Sequence, residues 1–184
     1  QKVTKMAPRK GYSGKVKDRL NEHRPQCTQE EWAYIAGIID GEGTVSLTRI
    51  AKRGHWSLRP VVSVTNTSEA LIAWLGDKIA MTINSRNRPS AGPHRHFIHA
   101  TKTSYQIMVP GYRGYHILMN IKPYLIIKQE HAQIVIRFME SRAQQPYNGP
   151  YTQNELDLWL RVRALNHGGF RAYDVEADLT RSFT

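Results

Sequence analysis

The sequence predicts an α+β domain in which a four-stranded antiparallel sheet carries helices on one face only. The expected element order is α-β-β-α-β-β-α, with extra helices at the C-terminal end. Three observations predict it. An apolar stripe of helical period runs up to Gly43, and strict two-residue alternation comes after it. Two Thr-x-x-Glu capping boxes, Thr28/Glu31 and Thr152/Glu155, mark helix starts near the two ends of the patterned region. With 184 residues the chain is long enough for one domain with a real core.

The first helix is expected from about Gln29 to Asp40, with Trp32, Ile35, Ala36 and Ile39 on one stripe. Ala33 and Gly37, four apart on a neighbouring face, leave little bulk between this helix and whatever it meets. Past Gly43, Thr44, Ser46 and Thr48 alternate with Val45 and Leu47, and Lys52–His55 reads as a hairpin turn. The return strand, about Trp56 to Thr65, sets Ser57, Arg59 and Ser63 against Leu58, Val62 and Val64, with Pro60 marking an edge or bend. A helix beginning near Ser68 has Ile72, Leu75 and Ile79 at helical spacing. A second strand pair is expected over about Thr82–Arg88 and Phe97–Val109 around the turn-rich Pro89–Pro93. Asn84, Arg86 and Arg88 share one face of it, and Thr103 and Tyr105 are assigned to the same polar face. Helices are expected near Tyr112–Asn120, Pro123–Arg142 and Gln153–Asn166, with Gly168-Gly169 as the final stop. Residues 1–27 read as a basic arm, 28–170 as the domain and 171–184 as a loosely packed tail.

Charge narrows the partner. The chain carries 26 basic and 15 acidic residues, net +11, unevenly distributed. Between Gly43 and Lys128 twelve basic residues face only Glu69 and Asp77, whereas from Gln129 onward six basic residues face seven acidic ones. A basic middle on a near-neutral scaffold is the footprint of a polyanion-binding face. No long apolar run or basic amphipathic helix points to a membrane. Cys27 is the single cysteine, which excludes an internal disulfide and fits a reducing, intracellular compartment. The basic start lacks the apolar stretch of a secretory signal, so export is not expected. His94, His96 and His99 match no standard zinc spacing and are assigned to a loop facing nucleic acid.

The chemistry concentrates in Ile35-Ala36-Gly37-Ile38-Ile39-Asp40-Gly41-Glu42-Gly43. A helix C-terminus is partially negative, so Asp40 and Glu42 are unfavourable there unless a cation joins them. Oxygen ligands of this kind suit a hard divalent ion. The nine residues resemble the motif that names the LAGLIDADG homing endonucleases, and the element order resembles the single-motif members over residues 28–170. Lys122-Pro123-Tyr124-Leu125-Ile126-Ile127-Lys128-Gln129 is similar to the family segment that ends in an active-site lysine, here Lys128.

The resemblance also implies roles for individual residues, a cofactor and a mode of assembly. Glu42 and the Gly41 carbonyl would be the metal ligands, with Asp40 supporting the turn. Asn66, in Val64-Thr65-Asn66, would orient the attacking water. Where some members have an arginine four positions later, this chain has Ala70. His167 and Arg171, after Ala164-Leu165-Asn166, fall in a loop that by the same resemblance touches phosphates. The implied cofactor is Mg²⁺ or Mn²⁺, with Ca²⁺ expected to bind without supporting cleavage. One motif supplies one carboxylate set, so a homodimer crossing at Ala33 and Gly37 would cut both strands across the minor groove and leave short 3′ overhangs. The sheet would form a curved saddle in the major groove. Same-face residues on a strand lie about 6.8 Å apart, close to two base-pair rises, so two protomers would cover roughly 16–24 base pairs of double-stranded DNA. The expected readers are Thr44, Ser46, Thr48, Ser57, Arg59, Ser63, Asn84, Arg86 and Arg88, with Thr103 and Tyr105 beside them. Arg86 and Arg88 suit guanine best. Two other functions fit the same fold: an intron RNA maturase, and a sequence-specific DNA-binding protein without chemistry.

Overall fold

The computed structural model describes residues 25, 27–52, 55–79, 81, 83–86, 103–146 and 149–166. The elements are α1 (Gln29–Glu42), β1 (Gly43–Lys52), β2 (His55–Asn66), α2 (Glu69–Lys78), β3 (Asn84–Arg86), β4 (Ser104–Pro110), α3 (Gly111–Ile121), a 3₁₀ turn (Lys122–Tyr124), α4 (Gln129–Gln144) and α5 (Gln153–Asn166). All but two residues of the expected arm, the tail 171–184, Arg88, the three loop histidines, His167 and Arg171 lie outside the described residues.

The four strands form one antiparallel sheet of order β1-β2-β4-β3. Its inner face presents Val45, Leu47, Leu58, Val62, Val64, Ile107 and Val109, all buried under the helices. Helix α1 lays Trp32, Ile35, Ala36, Ile38 and Ile39 on that core. At about 1.5–3 kcal/mol per fully buried large side chain, this stripe outweighs the helix-weakening glycines within α1. Both sides of the Thr28/Glu31 capping box are made: Thr28 N–H donates to Glu31 Oε2 at 2.9 Å and Glu31 N–H to Thr28 Oγ1 at 3.3 Å. The chain leaves α1 through Gly43, where a Cβ would sit 2.7 Å from both Cα and O of Ile39. No side chain fits that close passage, so glycine is needed there on steric grounds.

One departure from the sequence pattern has its cause in a tertiary contact. The helix expected from Pro123 is divided into the 3₁₀ turn, an extended Leu125 and α4 beginning at Gln129. The amides of residues 126–128 turn away to a side chain of α1 instead of bonding helically. The strand partner of β2 ends at Pro110, where α3 begins, so β4 pairs only with Val61–Asn66. Beyond that register this edge of β2 has no strand partner among the described residues. Pro60, which has no N–H, falls on it, and the Leu58 amide there donates to the Tyr151 hydroxyl at 2.8 Å. Tyr151 stacks on Trp56 with centroids 5.1 Å apart, tying the distal hairpin to the α4–α5 connection.

The C-terminal helices are joined by a buried ion pair. Glu155, fully buried, accepts from Arg142 Nη1 at 3.3 Å, Ser141 Oγ at 3.0 Å and the Thr152 amide at 2.8 Å. This last contact and Glu155 N–H to Thr152 Oγ1 complete the second capping box. Asn166, the last residue of α5, donates through Nδ2 to the Val45 carbonyl of β1 at 3.0 Å.

Candidate active site

The end of α1 and the start of α4 meet through reciprocal bonds between Asp40 and Lys128. Asp40 Oδ2 accepts the amides of Ile126 at 2.7 Å and Ile127 at 3.3 Å, and Oδ1 accepts the Lys128 amide at 2.8 Å. The Lys128 ammonium in turn donates to the Asp40 carbonyl oxygen at the C-terminal end of α1. Partial burial pushes the Asp40 carboxyl up, but the three amides and the Lys128 charge outweigh it and hold it below the usual carboxylate range. Asp40 is therefore an ionised clasp, with its oxygens committed to backbone. Among the described residues Glu42 has no such partners.

Glu42 closes α1 and is exposed, as is Gly41, where a Cβ would meet nothing within 4 Å. The arrangement offers one carboxylate and the carbonyls of a helix end, oxygen donors of the kind a hard divalent cation takes. Among the described residues no cluster of three or more His, Cys, Asp or Glu side chains is placed to hold a metal. Any full ligand shell needs oxygens from water, a substrate or a second chain.

Asn66 ends β2, two residues past the Gly43–Val64 pair, which brings it alongside the α1–β1 junction. Its Oδ1 accepts the Ser68 amide at 2.8 Å in an Asx turn, and Ser68 Oγ caps α2 through the Leu71 amide. Ala70 lies exposed in the first turn of α2. His131 sits one turn beyond Lys128. Burial and the Lys128 charge push its imidazole down, against Glu130, the Leu165 backbone and Asp40.

The outward face of the sheet is set by register. Thr44 pairs with Ser63, Ser46 with Val61, Thr48 with Arg59 and Ile50 with Ser57. Across β2, Val61 pairs with Pro110, Ser63 with Met108 and Thr65 with Gln106, and Gln106 with Asn84. Thus Thr44, Ser46, Thr48, Ser57, Arg59, Ser63 and Asn84 share one face, as does the backbone position of Arg86, opposite Ser104.

Tyr105 is a correction. It alternates with Ser104 and Gln106 and so shares the helix-side row of Ile107 and Val109, with its hydroxyl donating to Glu69 Oε2 at 2.8 Å. Thr103 precedes β4 with the same parity and is not in an outward row. The outward positions of this strand are Ser104, Gln106, Met108 and Pro110, and the buried pair Ile107/Val109 was the signal that would have found them.

Ala33 and Gly37 are exposed on α1, and a Cβ at Gly37 would meet nothing within 4 Å. Among the described residues nothing packs on the Gly37 Cβ position. Ile126 and Ile127, 88% and 70% exposed, stand over the same end of α1 that their amides bind. No described helix is long and apolar enough to cross a membrane.

No protein-family model and no curated protein matches the sequence. Solved structures do. The homing endonuclease I-CvuI in complex with its target aligns with TM-score 0.58 at 17% identity, over 84% of this chain and 95% of that one. The archaeal intron-encoded homing endonuclease I-Vdi141I complexed with DNA aligns with TM-score 0.60 at 16% identity, over 83% and 94%. The LAGLIDADG homing endonuclease I-SmaMI bound to cleaved DNA aligns with TM-score 0.55 at 16% identity, over 87% of this chain and 50% of that one. The chain has the fold of these LAGLIDADG endonucleases, spanning nearly all of I-CvuI and half of I-SmaMI.

Proposed function

We propose that this chain, built on the LAGLIDADG homing endonuclease fold, is a metal-dependent, site-specific DNA endonuclease acting as a homodimer. The observation that carries the reading is the division of labour at the α1–α4 junction. Asp40 is consumed by backbone amides, while Glu42, two residues on, stays exposed and Lys128 is anchored to the same helix end. A purely structural junction has no use for the second carboxylate.

The duplex lies along the outward face, with the phosphates to be cut at the end of α1. Glu42 and the Gly41 carbonyl are the oxygens that would hold Mg²⁺ or Mn²⁺. Such an ion, when bound, neutralises the phosphate and lowers the pKa of a bound water. Lys128 donates to the charge that develops on the phosphate oxygens. With Oδ1 of Asn66 engaged by Ser68, its amide NH₂ remains to orient the attacking water.

A second copy fits the open Ala33/Gly37 face, where small residues let helix axes approach closely, and covers Ile126 and Ile127. A twofold axis at that crossing sets two Glu42 side chains near each other, one per DNA strand. Short 3′ overhangs belong to the same reading.

The test is incubation with a plasmid library of randomised targets in Mg²⁺, Mn²⁺ or Ca²⁺. A discrete double-strand cut is expected in the first two and binding without cutting in Ca²⁺. Glu42→Gln should bind the selected target and leave it intact. Near wild-type cutting by that variant removes Glu42 from the chemistry. Duplex binding with no cut in any ion would leave a DNA-binding protein, and binding confined to structured intron RNA would make the chain a maturase.

A further inference from the structure

The outward rows are not uniformly polar. Met108, 38% exposed, pairs with Ser63, which pairs with Thr44. In the next row Val61, only 8% exposed, lies between Ser46 and Pro110. Val61, Pro110 and Met108 make a continuous apolar step among hydroxyls, on a face whose described outward positions contain no carboxylate. Lack of acid together with the basic excess of this part of the chain fits a polyanion over this step.

In the major groove one base-edge group is apolar, the C5-methyl of thymine. A thioether pressed on any other edge leaves a donor or acceptor desolvated without a partner, which is costly. On the reading that this face binds duplex DNA, we infer that Met108, beside the Val61–Pro110 row on this face, reads a thymine methyl once in each half-site. Its position is set by the register. Thr44, in the Met108 row, is four residues nearer the end of α1 than Thr48, in the Arg59 row. At about 3.4 Å per residue and per base pair, the thymine lies about four base pairs closer to the cut than the base facing Arg59.

The experiment replaces each thymine of the selected target, one symmetric pair at a time, by deoxyuridine, which lacks only the methyl. Binding in Ca²⁺ is compared for the native chain and Met108→Gln, whose folding is checked by circular dichroism. One inner pair should show about a fourfold loss per methyl, the transfer of one methyl-sized group from water. Met108→Gln should lose that sensitivity while still distinguishing bases elsewhere in the site. Uniform tolerance of deoxyuridine, or the same sensitivity in Met108→Gln, overturns the assignment while leaving the DNA-binding reading in place. Failure of the native chain to select any duplex overturns both.

Discussion

Replacing Asp40 by asparagine separates the clasp from the chemistry. The carboxylate accepts three amides with two oxygens, two on Oδ2 and one on Oδ1. Asparagine has one acceptor oxygen, so its NH₂ must face either the Lys128 amide or the pair from Ile126 and Ile127. At least one charge-assisted bond, about 1.5–3 kcal/mol, is lost. The favourable placement of a negative charge before the N-terminus of α4 adds about 0.3–1 kcal/mol. A total of about 2–4 kcal/mol lowers Tm by roughly 4–16 °C in a chain of this length.

The pH dependence fixes the sign. Because the folded pKa of Asp40 is depressed, its contribution is fully present above the unfolded carboxylate value and is lost as pH falls through the folded one. The gap between native and Asp40→Asn should therefore be widest near neutrality and close in acid, tracked by thermal circular dichroism across that range. Equal Tm at pH 7 combined with abolished cleavage would refute the argument, since Asp40 would then be acting on substrate or metal.

Three further substitutions probe other parts of the molecule. Gly37→Leu meets open space within the chain, so helix and sheet content should be retained while sedimentation shows loss of the dimer, with double-strand cutting falling alongside; a native protein that sediments as a monomer on its target overturns the two-site arrangement. Glu155→Ala removes the buried acceptor shared by Ser141, Arg142 and the Thr152 amide, leaving Arg142 on the Gly149 and Pro150 carbonyls, and should cost about 1–3 kcal/mol, read as a lower urea midpoint with unchanged m-value. Tyr151→Phe removes the acceptor of the Leu58 amide, costing about 1–3 kcal/mol, and should weaken base discrimination most at the positions read by Ser57 and Arg59; an unchanged profile there would show that the hairpin end is held by Trp56 stacking alone.

Much of the fold was legible because its signals are local. The α1 stripe, both capping boxes and the β1–β2 alternation depend on neighbours within a few residues, and each is found in the structure as the pattern implied. The division of the expected Pro123–Arg142 helix was not legible. Its cause is Asp40, more than eighty residues away in sequence, competing for amides that the helix would otherwise use. Tyr105 shows a different failure. Its hydroxyl and the polar stretch around it suited an outward reader, but facing is set by parity with Ile107 and Val109, and one residue of phase reverses every assignment on the strand. At the site, only the family resemblance, not the residue pattern itself, assigned different roles to Asp40 and Glu42. Two carboxylates two residues apart are alike until the three-dimensional partner of one is known.

The pleat of β1, β2 and β4 has a consequence for how such a chain could be retargeted. Outward residues alternate with core residues along the same strands, and a change at Thr44, Thr48 or Arg59 leaves the packing of Val45, Leu47 and Leu58 untouched. Exposed substitutions of this kind usually shift stability by no more than about 0.5 kcal/mol. The α1–α4 clasp, written largely in backbone amides, is indifferent to those changes. On the proposed function, a lineage could exchange one reader after another and keep pace with a drifting target while the cutting geometry stayed fixed.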